Sequence, residues 1–283
     1  MRSGPVRLSD ELARNGTIAQ VSNRRCSLRW KGEPLDAWIA ENMPPGYQHV
    51  LGYSATETRR IDRDRAITRH HRQPDYPLQR WGWTRETTRG FLQDKTGRMF
   101  ARSCCSHCPF QASKPSRPEW AQRWRDHPAA AALGLRLEYG ALALNPRMRL
   151  FGSTSARSLA TDLGLDEALA YADRRLASAR WALIDVRRVY TGTTAAMRSV
   201  RTLARGSRAQ MQAALAACGP VTVDEYGIHR VWLRPVRDAI PRTEHLLVAA
   251  PGTVADKQRQ AFEPLWDAVT MPADEVCGYG LAA

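Results

Sequence analysis

The sequence is poor in lysine and contains no long apolar run. Only four of its 42 basic residues are lysines, so arginine carries nearly all of the positive charge. No segment approaches the run of about 18 apolar residues that a membrane-spanning helix needs, and the first residues lack the apolar stretch of a secretory signal. We therefore expect a cytoplasmic protein with no membrane partner. The chain of 283 residues is long enough for two folded domains. With 43% apolar and 25% charged residues, its composition is that of a globular protein and not of a disordered tail.

The net charge of +14 is concentrated in the first half of the chain. Residues 1–150 hold 26 basic and 14 acidic residues, whereas residues 151–283 hold 16 and 14. A positive field attracts polyanions, so the candidate partners of the first half are nucleic acid (tRNA or DNA), nucleotide phosphates and sulfate. The alternative is a compositional preference for arginine over lysine throughout the chain, without consequence for binding.

Four of the six cysteines form a pattern typical of metal sites. Cys104, Cys105 and Cys108 lie within five residues, and Cys26 is the distant fourth. Thiolates are soft, strongly donating ligands, so the clustered cysteines can hold one face of a metal centre and Cys26 the other. In a reducing compartment such cysteines favour metal binding or catalysis over a disulfide framework. The interpretations are an iron–sulfur cluster, a zinc site that uses His107 or three to four thiolates, and reduced structural thiols.

The first half of the chain predicts alternating strands and helices. Short apolar runs favour strands, and charged or capped segments favour helices. The predicted elements are a strand at 49–53, a helix at 57–69, a strand at 78–83 and a helix that Thr84 caps. This order is typical of a parallel sheet with helices on its faces.

The second half predicts a smaller α+β module. Its expected elements are a helix at 166–179, a strand at 181–190, a helix at 207–217, a hairpin of 221–223 with 230–234, a strand at 245–248 and a final helix that opens at a capping box of Thr253 and Asp256. The fold class is therefore α/β, with a partial parallel sheet and flanking helices followed by the smaller α+β domain. Pro-rich and Ser-rich sequence between the halves places the two domains at 1–130 and 150–283.

Several motifs of the first half occur in an order that resembles a known family. They are Arg25-Cys26-Ser27, Lys31, Pro34-Leu35, the run from Gly52 to Arg60, Pro77-Leu78, and Cys105-Ser106-His107-Cys108-Pro109. Over roughly residues 20–112 they look like the later part of the PP-loop superfamily, in its phosphoadenosine phosphosulfate (PAPS) reductase branch. This resemblance implies a four-iron, four-sulfur cluster as cofactor, with Cys26, Cys104, Cys105 and Cys108 as its ligands and zinc as the alternative.

The ATP-binding loop of that family, Ser-Gly-Gly-x-Asp-Ser, occurs nowhere in the sequence. ATP is therefore expected only if a PP-loop partner chain supplies the loop, and the catalytic residues stay unassigned. The resemblance implies a role in sulfur transfer or nucleic-acid modification, as half of a split enzyme. A non-catalytic nucleic-acid-binding module that a metal holds together is the alternative.

Four residues are candidates for binding an anionic substrate. Glu57 precedes Arg59 and Arg60 at spacings that place the guanidinium groups together on a helix, where they can bind phosphate or sulfate oxygens. Lys31 lies three residues before Pro34 and is the fourth candidate. The alternative for each is a solvated surface charge.

Overall fold

The computed structural model describes residues 7–19, 25–67, 71–100, 104–111, 113–192, 196–235 and 242–270. It has the predicted mixed α/β class, with a small parallel sheet and a larger antiparallel one. The chain divides into two compact units. The small unit comprises residues 23–104, and the large unit comprises residues 1–22 and 105–283. These bounds differ from the predicted domains 1–130 and 150–283, because residues 105–150 pack with the second half.

In chain order the helices are α1 (Leu8–Asn15), α2 (Arg25–Ser27), α3 (Glu33–Asn42), α4 (Thr58–Arg65), α5 (Pro77–Arg80), α6 (Arg85–Thr96), α7 (Arg117–Asp126), α8 (Pro128–Leu144), α9 (Ala156–Asp162), α10 (Asp166–Ala177), α11 (Arg208–Ala216) and α12 (Phe262–Thr270). The strands are β1 (Gln48–Val50), β2 (Gln73–Asp75), β3 (Trp181–Tyr190), β4 (Ala196–Gly206), β5 (Val221–Val223), β6 (His229–Arg234) and β7 (Arg242–Pro251). A π-helical turn, Leu28–Gly32, connects α2 to α3.

The small unit contains a two-stranded parallel sheet. β1 pairs with β2 so that Gln48 lies opposite Gln73 and Val50 opposite Asp75. The loop from Leu51 to Glu57 then leaves the carboxyl end of β1 and leads into α4. Because the strands are parallel, the residues that follow β1 and β2 emerge at the same edge of the sheet.

At α6 the predicted Thr84 cap is confirmed, whereas at α5 a helix replaces the predicted strand. The hydroxyl of Thr84 accepts a hydrogen bond from the Thr87 amide at 3.2 Å, which confirms the cap of α6. The strand predicted at 78–83 is wrong, since Pro77 begins the short helix α5 instead. Proline favours the first turn of a helix because its missing N–H group would have had no partner there.

The large unit is built on a five-stranded antiparallel sheet in the order β4-β3-β7-β6-β5. The strand predicted at 181–190 is confirmed as β3, and the predicted hairpin as β5 and β6. Gly227 adopts a left-handed conformation (φ 70°) in the hairpin turn. The predicted capping box is wrong: α12 begins at Phe262, and the Asp256 carboxylate instead accepts a hydrogen bond from the Thr202 amide at 2.9 Å.

Helix α8 is the centre of the large unit and was not predicted. Eleven of its 17 residues are buried, and its carboxyl end lies against two buried arginines of the sheet. Arg230 donates to the carbonyl oxygens of Leu142 (2.6 Å) and Ala143 (3.3 Å), and Arg188 donates to that of Leu144. Among the described residues no helix, α8 included, combines the length and apolar character needed to cross a membrane.

The same helix holds a buried carboxylate that organises the start of α9. The side chain of Glu138 is 1% exposed and accepts hydrogen bonds from the amides of Leu150 (2.7 Å), Ala156 (2.8 Å) and Arg157 (3.2 Å). Burial raises the pKa of Glu138 above its usual value, although the hydrogen bonds from these backbone amides lower it in part. The carboxylate thereby fixes α9 and the preceding turn against α8.

We predict that Glu138→Gln destabilises the protein by about 1–3 kcal/mol, because an amide nitrogen would face backbone N–H groups and leave them unsatisfied. Chemical denaturation measures this change. Glu167→Gln, at an exposed position of α10, is the matched control and should cost less than about 0.5 kcal/mol. Equal stabilities of the two variants would contradict the role of Glu138.

Candidate functional site

Residues 105–111, which we call the cysteine loop, form a series of turns before α7. The Cys108 amide donates to the Cys105 carbonyl oxygen at 3.1 Å, and the Gln111 amide donates to that of Cys108 at 3.3 Å. The buried Gln111 side chain also donates to the Cys105 carbonyl oxygen and accepts from Arg123 on α7 at 3.1 Å. The loop therefore has a defined backbone that brings Cys105 and Cys108 to the two ends of one turn.

The cysteine loop packs closely on α8. A β-carbon built on Gly134 would lie 3.1 Å from the Ser106 carbonyl oxygen and 3.3 Å from the Trp124 ring. Glycine at this position thus allows the loop backbone to approach the helix more closely than a side chain would permit. The buried Trp120 and Trp124 of α7 complete the apolar surroundings.

His107 is the most unusual residue of the cysteine loop. It is 7% exposed, and neither Nδ1 nor Nε2 has a hydrogen-bond partner among the described residues. Burial lowers the pKa of the imidazole, which favours the neutral ring. A neutral imidazole carries one N–H donor and one lone pair, and the lone pair is what binds a metal. Two unsatisfied buried nitrogens are costly, so His107 requires an explanation beyond packing.

The predicted cysteine ligands are divided between the two units. Cys26 and Cys104 belong to the small unit and are half-buried. In the large unit, Cys105 is exposed and Cys108 half-buried. Within the described residues, no group of three or more His, Cys, Asp or Glu side chains is placed to hold a metal ion. The four-cysteine site stays a prediction, and the pair Cys105 and Cys108 is the part of it that one turn brings together.

The predicted anion-binding residues lie on one short segment and on the π-helical turn of the small unit. Lys31 and Arg59 are exposed. Glu57 accepts hydrogen bonds from the amide (3.1 Å) and the hydroxyl (3.3 Å) of Ser54 and pairs with Arg60. Partial burial raises the pKa of Glu57, but the hydrogen bonds from Arg60 and Ser54 lower it by more. The pKa of Glu57 therefore lies below its usual value. Glu57 therefore positions its own loop and Arg60.

The position of this segment follows the rule for ligand sites in parallel sheets, which lie beyond the carboxyl ends of the strands. The guanidinium of Arg60 lies 4.4 Å from the centre of the Tyr53 ring. The Ala55 amide donates to the Trp83 carbonyl oxygen at 2.8 Å and so connects this loop to the segment after β2. Arg59 and Arg60 are thus held at that edge by a loop with several hydrogen bonds.

The small unit contains a second ionic cluster, which no pattern in the sequence predicted. The Arg72 side chain is 6% exposed, and its guanidinium lies 3.0 Å from the Asp64 carboxylate. The same carboxylate accepts a hydrogen bond from the Tyr76 hydroxyl at 2.6 Å. Burial and the hydrogen bond to Asp64 raise the pKa of Tyr76 to about 12. Alternating acidic and basic residues on α4 gave no signal that Asp64 faces the interior.

Comparison with known proteins identifies no relative: no family model matches the sequence, and neither a curated protein nor a solved structure is significantly similar to it. The PP-loop resemblance stays an interpretation of the sequence motifs.

We predict that His107→Leu stabilises the protein in the presence of a chelator by about 1 kcal/mol or more, because it removes buried polar atoms for which the described residues offer no partner. The free energy of unfolding of the unchanged protein should fall as the pH drops below about 6.5. Burial lowers the pKa of His107 in the folded state, so as the pH falls the unfolded chain binds a proton at this histidine before the folded protein does. Proton binding therefore favours the unfolded chain.

Thermal and chemical unfolding between pH 5 and 8 tests this prediction. His107→Leu should flatten the decline, whereas His127→Gln, at an exposed histidine before α8, should keep it. A destabilised His107→Leu variant with an unchanged pH profile would show that the imidazole makes hydrogen bonds after all.

Proposed function

We propose that this chain is a PAPS reductase-like protein of the PP-loop superfamily whose cysteines hold an iron–sulfur or zinc centre. Its role would be sulfur transfer or nucleic-acid modification, as half of a split enzyme. The observation that carries the proposal is His107, a buried imidazole between Cys105 and Cys108 that has no hydrogen-bond partner in the part of the chain that the structure describes. Soft thiolates beside a neutral imidazole are a donor set that fits iron and zinc but not magnesium or calcium.

The two kinds of centre would use His107 differently. With zinc, His107 would be a ligand together with the neighbouring thiolates. With a four-iron cluster, Cys26, Cys104, Cys105 and Cys108 would be the ligands, and the ring N–H of His107 would be available as a hydrogen-bond donor to a cluster sulfur. Such a cluster supplies electron transfer or activated sulfur when it is bound. Because no three-residue cluster is preformed among the described residues, binding would order the ligands.

The small unit supports the part of the proposal that concerns a partner chain. A parallel sheet is normally larger and covered on both faces, yet β1 and β2 pair only with each other among the described residues. The small unit also carries ten of the fourteen large apolar side chains that are exposed in the described part of the chain, Trp38 and Trp81 among them. A partner that adds strands and the ATP-binding loop would cover this surface. ATP would then bind to the pair of chains.

In this proposal Arg59, Arg60 and Lys31 bind the anionic part of the substrate, and Glu57 positions Arg60. Guanidinium groups bind phosphate and sulfate oxygens through paired hydrogen bonds. The catalytic residues stay unassigned.

Metal analysis after anaerobic purification tests the centre. We expect either about four iron atoms per chain with an absorbance band near about 400 nm, or about one zinc atom without colour. The double variant Cys105→Ser, Cys108→Ser should lose the metal. Cys218→Ser, at an exposed thiol two residues after α11, is the control and should keep it. A chain without stoichiometric metal, or a double variant that retains it, would refute the centre.

A metal-containing nucleic-acid-binding module without chemistry of its own is the second candidate. It is favoured by the exposed Lys31 and Arg59 and by the excess of basic residues in residues 1–150. Phosphate contacts by such residues dominate the affinity of non-specific binding.

For this candidate we predict that the full chain binds tRNA or DNA with an affinity that falls as salt rises. The double variant Lys31→Gln, Arg59→Gln should bind more weakly, and its slope of log affinity against log salt should shrink by about 1 for each lost phosphate contact. Filter binding at several salt concentrations measures both quantities. Arg175→Gln, at an exposed position of α10 in the large unit, should change neither. Affinity that is indifferent to salt would point to base stacking instead.

A further inference from the structure

An open cavity of about 520 Å³ lies at the surface of the large unit, and no residue of the cysteine loop lines it. Tyr139 of α8, Leu176 of α10 and Tyr226 of the β5–β6 turn form its apolar part. Its polar part consists of arginines from three elements and one carboxylate: Arg157, Arg174, Arg208 and Asp173. The volume matches pockets that take small organic molecules.

The charges that line the cavity are not balanced. Asp173 is paired with Arg157 through two hydrogen bonds of 2.8 Å, from Nη1 to Oδ1 and from Nη2 to Oδ2. Both carboxylate oxygens of Asp173 are therefore engaged. Arg174 and Arg208 form no ion pair with a carboxylate among the described residues; each lies instead over an aromatic ring. Two guanidinium groups at one cavity are thus available to an anionic ligand.

The position of Arg208 is fixed by its surroundings. Its guanidinium lies 4.8 Å from the centre of the Trp181 ring, and the residue begins α11. The preceding Ser207 closes a capping box with Gln210, so this end of the helix is well ordered. A guanidinium that stacks on a ring keeps its N–H groups directed along the ring plane and available to oxygen acceptors. The positive end of α11 also favours an anion nearby, as a secondary contribution.

The aromatic part of the cavity is equally ordered. Tyr139 is 6% exposed, and its hydroxyl donates to the Gly227 carbonyl oxygen at 3.3 Å. The Tyr226 amide donates to the Asp224 carboxylate at 2.9 Å, which holds the turn that presents this ring. Tyrosine rings provide flat apolar surfaces on which a planar group stacks.

We propose that this cavity binds a phosphorylated small molecule with a planar ring, such as a nucleoside monophosphate. Arg208 and Arg174 bind the phosphate, and Tyr226 contacts the ring. This site is independent of the metal centre proposed above, since none of its residues belongs to the small unit or to the cysteine loop. It assigns a ligand-binding role to the α+β part of the large unit.

Calorimetric titration of the full chain with AMP and, separately, with inorganic phosphate tests the proposal. AMP should bind with a dissociation constant below about 1 mM and more tightly than phosphate. Arg208→Gln should weaken AMP binding at least about tenfold, because it removes a charge-assisted hydrogen bond to the phosphate. Arg175→Gln, an exposed arginine of α10 that does not line the cavity, is the matched control and should leave it unchanged.

A second variant separates the ring from the phosphate. Tyr226→Ala should weaken AMP binding and leave phosphate binding unchanged, with thermal unfolding as the check that each variant is folded. Absence of AMP binding at millimolar concentration, or equal losses in Arg208→Gln and Arg175→Gln, would overturn the proposal. Equal affinity for AMP and phosphate would overturn the role of the ring. The metal content of Arg208→Gln should match the unchanged protein, so this site and the metal centre can fail separately.

Discussion

The large unit depends on how the carboxyl end of α8 is satisfied. The last carbonyl groups of a helix lack partners within the helix and cannot be buried without donors. Arg188 and Arg230 reach them from the sheet, and each arginine is itself neutralised, the first by Glu244 at 3.0 Å and the second by Asp224 at 2.7 Å. With this end fixed, α8 can remain buried along its length. The cysteine loop then packs at its Gly134, and α9 starts from the carboxylate of Glu138.

This use of arginine changes how the net charge of +14 is understood. Part of the positive charge lies inside the protein, where it caps a helix or pairs with carboxylates. Burial lowers the pKa of Arg198 to about 10, and its guanidinium donates to the Asn15 carbonyl oxygen at 2.8 Å. Arg72 is buried in the small unit in the same way. Only the exposed arginines can contact a polyanion, so the charge excess overstates the surface that is available to nucleic acid.

The sequence predicted elements whose signals are local, and it failed where tertiary contacts decide. β3 is rich in apolar and β-branched residues, and its bounds are as predicted. Helix α8 is buried on nearly all sides, so it lacks the one-sided apolar pattern by which helices are recognised. β4 mixes small, apolar and charged residues without a two-residue alternation and gives a weak strand signal. In the same way the spacing of Cys105 and Cys108 revealed the cysteine loop, whereas the burial of His107 and the cavity at Tyr139 depend on packing between distant segments.

The central claim is that the cysteine loop contains metal ligands and that His107 is buried beside them for that reason. X-ray absorption spectroscopy of the anaerobically purified full chain at the iron and zinc edges tests this claim directly. The account predicts sulfur scatterers at about 2.3 Å from the metal, with a nitrogen scatterer at about 2.0–2.1 Å if zinc is bound through His107. A metal surrounded only by oxygen or nitrogen scatterers, without sulfur, would contradict it.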